Sequence, residues 1–143
     1  LLFGDGRVQT PDGRVRLLDA VPDEAFADAP DDGWPLWLFS NSSADSQAAQ
    51  WAREPGAHLP VRVHPDCAPP GCRDGDVVVV ESRLAAISAR LRLDPAQRRD
   101  VAILPKGGHF DRGASANSLI EAQPTDLGLG AAYLDCRVRL RAP

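Results

Sequence analysis

Hydrophobic and polar residues alternate in short runs along the second half of the chain. Residues 85–93 (AAISARLRL) and 135–140 (DCRVRL) each place an apolar side chain at every second position. Because successive side chains of a β-strand point to opposite faces, this period of two predicts half-buried strands. Residues 59–65 (LPVRVHP), the β-branched run 77–81 (VVVVE) and a run that begins at Val101 predict further strands.

The stretch from residue 36 to residue 71 combines apolar, polar and proline-rich runs. The continuous apolar run 36–39 (LWLF) predicts a strand that is buried on both faces. In the polar run 40–51 (SNSSADSQAAQW), Ser43 or Asp45 is suited to begin a helix, and we predict a short helix there. Residues 66–71 predict one helical turn, which the two prolines within it keep short.

Six or seven short strands joined by Gly- and Pro-rich loops predict a mainly β protein that closes into a barrel. The first part of the chain differs, because a tight turn at 11–13 (PDG) precedes a short strand and residues 21–35 form an acidic, proline-punctuated loop. We therefore expect a lead-in strand and acidic loop at 1–35 and a barrel domain at 36–143. The chain has no Met and begins at Leu1, so we expect a piece of a longer polypeptide.

Composition and charge exclude several classes of function. A chain of 143 residues with 43% hydrophobic residues is typical of one soluble domain with its own core. The net charge of -4 argues against nucleic acid as a partner, since affinity for a phosphate backbone requires concentrated Lys and Arg. No apolar run approaches the roughly 20 residues of a membrane helix, so we expect no membrane insertion.

The cysteines point to a reducing compartment. Cys67, Cys72 and Cys136 are odd in number and lack a Cys-x-x-Cys spacing, which favours free thiols in the cytoplasm. Three scattered thiols form neither a zinc ribbon nor an iron–sulfur site, and we expect them to act as buried small hydrophobes. The sequence also shows no acid–base or nucleophile–base pair, so we expect no catalysis by this chain alone.

Residues 68–78 (APPGCRDGDVV) resemble a segment of one enzyme family. The segment, A-x-x-G-[I/V/L]-x-[D/N]-G-D-x-V, occurs in the C-terminal domain of molybdopterin-guanine-dinucleotide oxidoreductases, which include formate dehydrogenases, nitrate reductases and dimethyl sulfoxide reductase. Further pieces resemble that domain in the same order, so that the resemblance covers roughly residues 10–140. They are the strand and Ser/Asn/Gln loop at 36–47, the Pro-x-x-Gly-His-aromatic segment at 105–110, ANSL at 116–119, Thr125-Asp126, and the final strand with CRV at 136–138.

The resemblance implies a fold, a cofactor and partners. It implies a six-stranded double-psi β-barrel with a few short helices, which covers a molybdopterin guanine dinucleotide carrying molybdenum or tungsten. The metal ligand would lie in other domains of the parent oxidoreductase, and any iron–sulfur cluster would lie outside this chain. The partners would be the pterin dinucleotide and those remaining domains. A double-psi barrel that serves as a protein-interaction module without cofactor is the alternative; a self-processing decarboxylase is excluded because no Gly is followed by Ser.

The resemblance also implies which residues bind the cofactor. Asn117 would contact the dinucleotide; the alternative is a cap for a helical turn at 118–121. The Ser/Asn/Gln loop offers hydroxyls and amides, with which a non-basic protein binds phosphates, riboses and a guanine edge, although a solvated surface loop has the same composition. His109 and Phe110 would face the cofactor, unless that loop is purely structural. The predicted cofactor-binding residues are Ser40, Asn41, Ser42, Ser43, Ser46, Gln47, His109, Phe110, Asn117 and Tyr133.

Three positions depart from the family pattern. Leu84 stands where the family usually has Gly, so the hairpin after residues 82–83 must turn differently. Leu134 stands where several members carry a Lys after an aromatic residue, so we expect Tyr133 to supply only its ring and hydroxyl. Residues 128–132 (GLGAA) lengthen the approach to the last strand.

Overall fold

The computed structural model describes residues 4, 6, 8, 10–15, 33–51, 56–125 and 128–143, without the side chains of residues 51, 112 and 114. The chain divides into two units, Leu1–Pro30 and Asp31–Pro143. In the first unit, the predicted turn at 11–13 is confirmed, because the Gly13 N–H donates to the Thr10 carbonyl at 3.0 Å. The strand predicted after this turn and most of the acidic loop lie outside the described residues.

The second unit contains a closed barrel of six strands. These strands are β1 (Leu36–Asn41), β4 (Leu59–Val63), β5 (Val77–Glu81), β6 (Ala86–Leu93), β7 (Val101–Pro105) and β10 (Arg137–Arg141). The remaining described strands form two small hairpins, β2 (Ser46–Gln47) with β3 (Gln50–Trp51), and β8 (Gly108–His109) with β9 (Ala114–Ser115). Short 3₁₀ turns lie at Pro65–Cys67, Phe110–Arg112 and Ala116–Leu119.

The barrel strands follow the order β1-β10-β5-β6-β4-β7. Two neighbouring pairs are parallel, β1 with β7 and β4 with β6, while the other pairs are antiparallel. Each parallel pair requires a crossover of the chain, and closure leaves no free sheet edge. The prediction of a mainly β, six-stranded closed barrel with a few short helical turns is confirmed, and the two parallel crossovers agree with a double-psi arrangement.

Alternate residues of the barrel strands fill the core. The period-two prediction for β6 is confirmed, since Ile87, Ala89 and Leu91 are buried and Leu93 packs against the same cluster. Burying one large aliphatic side chain contributes about 1.5–3 kcal/mol. The fully enclosed side chains of the core include Leu38, Val61, Val63, Val78, Val80, Leu91, Leu104, Leu119 and Val138.

The prediction that residues 36–39 are buried on both faces is wrong. Leu36 and Leu38 point into the barrel, but Phe39 is 40% exposed. Trp37 lies on the outer face, where the Arg137 guanidinium stands 3.7 Å from the centre of its ring. The guanidinium over the ring face makes a cation–π contact, and Trp37 is half-buried. Residues 36–39 are therefore all apolar, although only one face of the strand is buried.

The predicted helix in residues 40–51 is also wrong, because this segment forms the β2–β3 hairpin. The Ser43 N–H donates to the Ser46 carbonyl at 2.9 Å, and their two Oγ atoms lie 3.0 Å apart. Ser43 Oγ also accepts the Asp45 N–H at 3.3 Å. Such local side-chain bonds offer the backbone an alternative to a helix. Ala48 then turns the chain in the left-handed region, at φ 51°.

The helical turn predicted at 66–71 begins earlier, at Pro65–Cys67. His64 caps it, since its Nδ1 accepts the Asp66 N–H at 3.1 Å. Of the three cysteines, Cys136 is buried as predicted, whereas Cys67 and Cys72 are only half-buried at the edge of the core. None of the helical turns in the described residues is long and apolar enough to cross a membrane.

Candidate functional site

Strands β1 and β7 end side by side on one edge of the barrel. The two strands are parallel, Asn41 pairs with Pro105, and the Lys106 N–H donates to the Asn41 carbonyl at 2.8 Å. Because β10 runs antiparallel to β1, the segment before β10 reaches the same edge. We call this edge, formed by residues 40–51, 106–119 and 131–136, the upper rim.

Gly107 joins the two loops that leave these strands. Its φ is +87°, and a Cβ atom added to it would lie 2.6 Å from the Ala48 carbonyl oxygen and 2.7 Å from the Ala49 nitrogen. Distances this short show that the Gly107 backbone packs directly on the turn of the β2–β3 hairpin. Only glycine combines that approach with a positive φ without strain. This β2–β3 hairpin, which we call the serine-rich hairpin, is thereby held against the loop that follows β7.

The same glycine positions the turn that carries Asn117. The Gly107 carbonyl accepts the Ala116 N–H at 3.1 Å and the Ser115 hydroxyl at 3.2 Å. Ala116 and Leu119 pack into the core, which leaves Asn117 exposed on the outer side of the turn. Its amide makes no hydrogen bond within the described part of the chain. The structure therefore presents a free amide at the upper rim.

The alternative hypothesis for Asn117, a cap for a turn at 118–121, is wrong. The turn runs from Ala116 to Leu119, and its N-cap residue is Ser115. Asn117 is the second residue of the turn, where its own carbonyl accepts the Ile120 N–H at 3.4 Å. The side chain of Asn117 thus has no capping role in this turn.

Ser40 carries an unsatisfied hydroxyl where β1 meets the rim. The residue is 5% exposed, and its Oγ has no hydrogen-bond partner among the described residues. A buried hydroxyl without a partner costs about 1–3 kcal/mol, so this atom is suited to bond a group from outside the chain. In the loop beyond it, Asn41, Ser42 and Gln47 are exposed, while Ser46 is buried against Ser43.

Lys106 and Tyr133 meet at the same edge. The Lys106 Nζ lies 5.0 Å from the centre of the Tyr133 ring. The positive charge that is missing at residue 134 is thus present beside Tyr133 on Lys106, in the loop after β7. Sequence reasoning passed over Lys106, although it is the single lysine of the chain and directly follows a predicted strand.

His109 and Phe110 lie on the loop that Gly107 begins. His109 is half-buried in β8, where it pairs with Ala114 of β9. Phe110 is 69% exposed at the start of a 3₁₀ turn. The predicted site residues thus lie on three neighbouring segments of the upper rim. His109 is half-buried, Ser40 and Ser46 are buried, and the other seven residues are exposed.

A cavity of about 60 Å³ lies beside the start of β10, where residues 132, 135 and 136 of the upper rim form part of its lining. Its lining contains none of the ten predicted site residues; it is formed by Arg83, Glu121, Gln123, Ala132, Asp135, Cys136 and Arg137. Burial raises the pKa of the Cys136 thiol to about 11, with the charge of Glu121 as a smaller cause. The raised pKa keeps the thiol protonated at neutral pH, which lowers its nucleophilicity.

The upper rim carries several exposed hydroxyls and amides. The profile of the Molydopterin dinucleotide binding domain matches residues 39–137. The chain belongs to this family. The matched region of this dinucleotide-binding domain begins within β1, ends at the first residue of β10 and includes the whole upper rim.

The domain is also similar in fold to a solved structure, acetylene hydratase from Pelobacter acetylenicus. The two share 16% sequence identity with a TM-score of 0.62, over 78% of this chain and 19% of that chain. The chain thus spans about a fifth of the length of this structural relative. A comparison with curated protein sequences found no match.

Proposed function

We propose that the upper rim binds a molybdopterin guanine dinucleotide, and that the domain covers this cofactor in a molybdenum or tungsten oxidoreductase. The packing of Gly107 on Ala48 and Ala49 carries the proposal. This packing, together with the Ala116 bond to Gly107, brings the serine-rich hairpin and the exposed Asn117 to one edge of the barrel. Two segments about 70 residues apart in the chain thereby present polar groups to one ligand.

The chemistry of the rim fits a dinucleotide. Phosphates, riboses and a guanine edge need both donors and acceptors, and the primary amide of Asn117 has two of each. The unpartnered Oγ of Ser40 offers a further hydrogen bond at the barrel mouth. Asn41, Ser42 and Gln47 add exposed amides and a hydroxyl. Each of these groups binds without placing a large positive charge on the domain.

The residues of this chain would bind and orient the cofactor. When bound, the metal and its dithiolenes supply the redox chemistry of such enzymes. Among the described residues, no three His, Cys, Asp or Glu side chains cluster as a metal site. In this proposal the metal ligand and any iron–sulfur cluster belong to other parts of the parent enzyme, and this chain binds the cofactor.

The parent enzyme defines the partners in this proposal. The domain would pack against the remaining domains of a formate dehydrogenase-like or nitrate reductase-like oxidoreductase in the cytoplasm. Within the chain, we propose that residues 1–35 lead into the domain and that residues 36–143 form it.

Substitution of Asn117 in the parent enzyme tests the proposal. In the complex, Asn117→Ala would leave a buried polar group of the cofactor without its hydrogen-bond partner, which costs about 1–3 kcal/mol, so cofactor binding should weaken roughly 5- to 150-fold. The measurement is the pterin and metal content of the purified enzyme after dialysis. Gln97→Ala is the matched control, since it removes a primary amide from the loop between β6 and β7, at the opposite end of the barrel. Full pterin and metal content in Asn117→Ala would refute the role of the rim.

A further inference from the structure

Lys106 is fixed at the centre of the upper rim. Its N–H donates to the Asn41 carbonyl at 2.8 Å, which ties the residue to the end of β1. Gly107, directly after it, packs on the serine-rich hairpin. The Lys106 backbone therefore has little freedom, and the position of its amine depends on the side chain alone.

The Tyr133 ring restricts that side chain. The Lys106 Nζ stands 5.0 Å from the ring centre, within the range of a cation–π contact, while Tyr133 remains 39% exposed. Such a contact holds the ammonium over the ring face. Lys106 itself is half-buried, so part of its side chain is accessible to solvent.

Among the residues that the structure describes, Lys106 has no counter-ion. No carboxylate oxygen of the described residues lies within 4.0 Å of its Nζ, although Asp45 and Asp111 are in the same two loops. Several other cations of the domain do have carboxylate partners. These pairs are Arg92 with Asp74, Arg98 with Asp100, Arg99 with Asp66, and Arg139 and Arg141 with Glu81. A positioned cation without a carboxylate is suited to an anionic ligand.

We propose that Lys106, held by Tyr133, binds the phosphate groups of the dinucleotide. The inference rests on the proposed function, because it takes the rim as the site of a dinucleotide. An ammonium is a compact, strongly hydrated charge that suits phosphate oxygens. The neighbouring Ser42 and Asn41 are exposed and donate neutral hydrogen bonds to the same oxygens. Tyr133 acts as a positioning residue through its ring.

Titration of the full 143-residue chain with GDP and with guanosine tests the role of Lys106. The two probes share the base and ribose and differ in the phosphates. In the wild-type chain, NMR amide shifts at Asn41, Lys106 and Gly107 should report GDP binding at the rim. Lys106→Met should weaken GDP binding about tenfold, the lower end for a charged hydrogen bond, and leave guanosine binding unchanged. Lys106→Arg should retain most of the GDP affinity.

Further variants separate the ring from the charge. Tyr133→Leu should weaken GDP binding about two- to fivefold, as expected for loss of an exposed cation–π contact, whereas Tyr133→Phe should bind like wild type. Higher ionic strength should weaken GDP binding by the wild-type chain more than by Lys106→Met. Arg62→Met, which removes an exposed cation from the barrel wall, is the control and should leave both affinities unchanged.

The outcomes distinguish the two proposals. Equal GDP affinity of wild type and Lys106→Met, with amide shifts still at the rim, overturns the role of Lys106 and leaves the proposed function intact. Absence of rim shifts with either probe in the wild-type chain overturns both. If Lys106→Met does not fold, two other measurements test the role of Lys106: the salt dependence of GDP binding by the wild-type chain and the GDP affinity of Tyr133→Leu. GDP binding that does not change with salt would contradict the phosphate contact.

Discussion

A methyl group on Gly107 would stand 2.6 Å from the carbonyl oxygen of Ala48. Gly107→Ala therefore adds a steric clash with the hairpin to the strain of a residue at φ +87°. We expect a loss of more than about 1 kcal/mol in the free energy of unfolding and displacement of the hairpin, visible as amide shifts at residues 46–51.

Gly71→Ala is the matched control for that substitution. Gly71 has a similar φ of +81°, but nothing lies within 4 Å of its added Cβ. Both variants carry the cost of a positive φ, so the difference between their unfolding free energies, measured with denaturant, gives the cost of the clash alone. Equal losses of stability would show that the hairpin moves away at no cost.

The turn Asp74-Gly75-Asp76 should depend on its glycine. Gly75 has φ +89°, and its N–H donates to the Leu91 carbonyl at 2.9 Å. Gly75→Ala should cost on the order of 1 kcal/mol or more, measured as a lower unfolding free energy. Gly56 has no positive φ, and nothing lies within 4 Å of its added Cβ, so Gly56→Ala should leave the unfolding free energy unchanged. An unchanged stability of Gly75→Ala would contradict the turn geometry.

The three thiols should react at different rates with a thiol reagent. Cys136 is 8% exposed and donates from its Sγ to the Leu119 carbonyl at 2.9 Å, so it should be labelled slowest. Cys67 and Cys72 are half-buried, so they should react first. Mass spectrometry of the native chain over time gives the order. Labelling of Cys136 at the rate of Cys72 would contradict its burial.

Stability should fall at alkaline pH because of Cys136. Burial raises its pKa from 9.0 to about 11, so the unfolded chain loses the thiol proton at a lower pH than the folded chain. The stabilisation is fully present below pH 9 and is lost as the pH rises toward about 11, by an amount on the order of 2–3 kcal/mol. Cys136→Ala should show a smaller decline over this range in denaturant unfolding. An equal decline in both chains would assign the effect to other groups.

The strands follow from local patterns, and for that reason much of the barrel was predictable. The bounds of β5 equal the predicted run 77–81, and the alternation in 85–93 gave the inward face of β6. Trp37 was misplaced because Arg137, a hundred residues later, covers its ring. The serine-rich hairpin was mistaken for a helix because its shape depends on Gly107 in a distant loop.

The site shows the same division between local and long-range information. The order of the motifs along the sequence was sufficient to predict the segments that carry the ten residues. The contact between the Lys106 amine and the Tyr133 ring could not be predicted, because 27 positions separate the two residues and no local pattern links them. The binding roles of the ten residues stay predictions, which the substitution of Asn117 tests first.

The last strand, β10, lies between β1 and β5 and closes the barrel. Contacts between β1 and β10 join residues about a hundred positions apart, and such non-local pairing slows folding. On the ribosome, β1 has no β10 partner until residues 137–141 have emerged from the exit tunnel. Until then, the edges of β1 and β5 remain unpaired and are open to association with other nascent chains, which makes this interval a point at which chaperones would act.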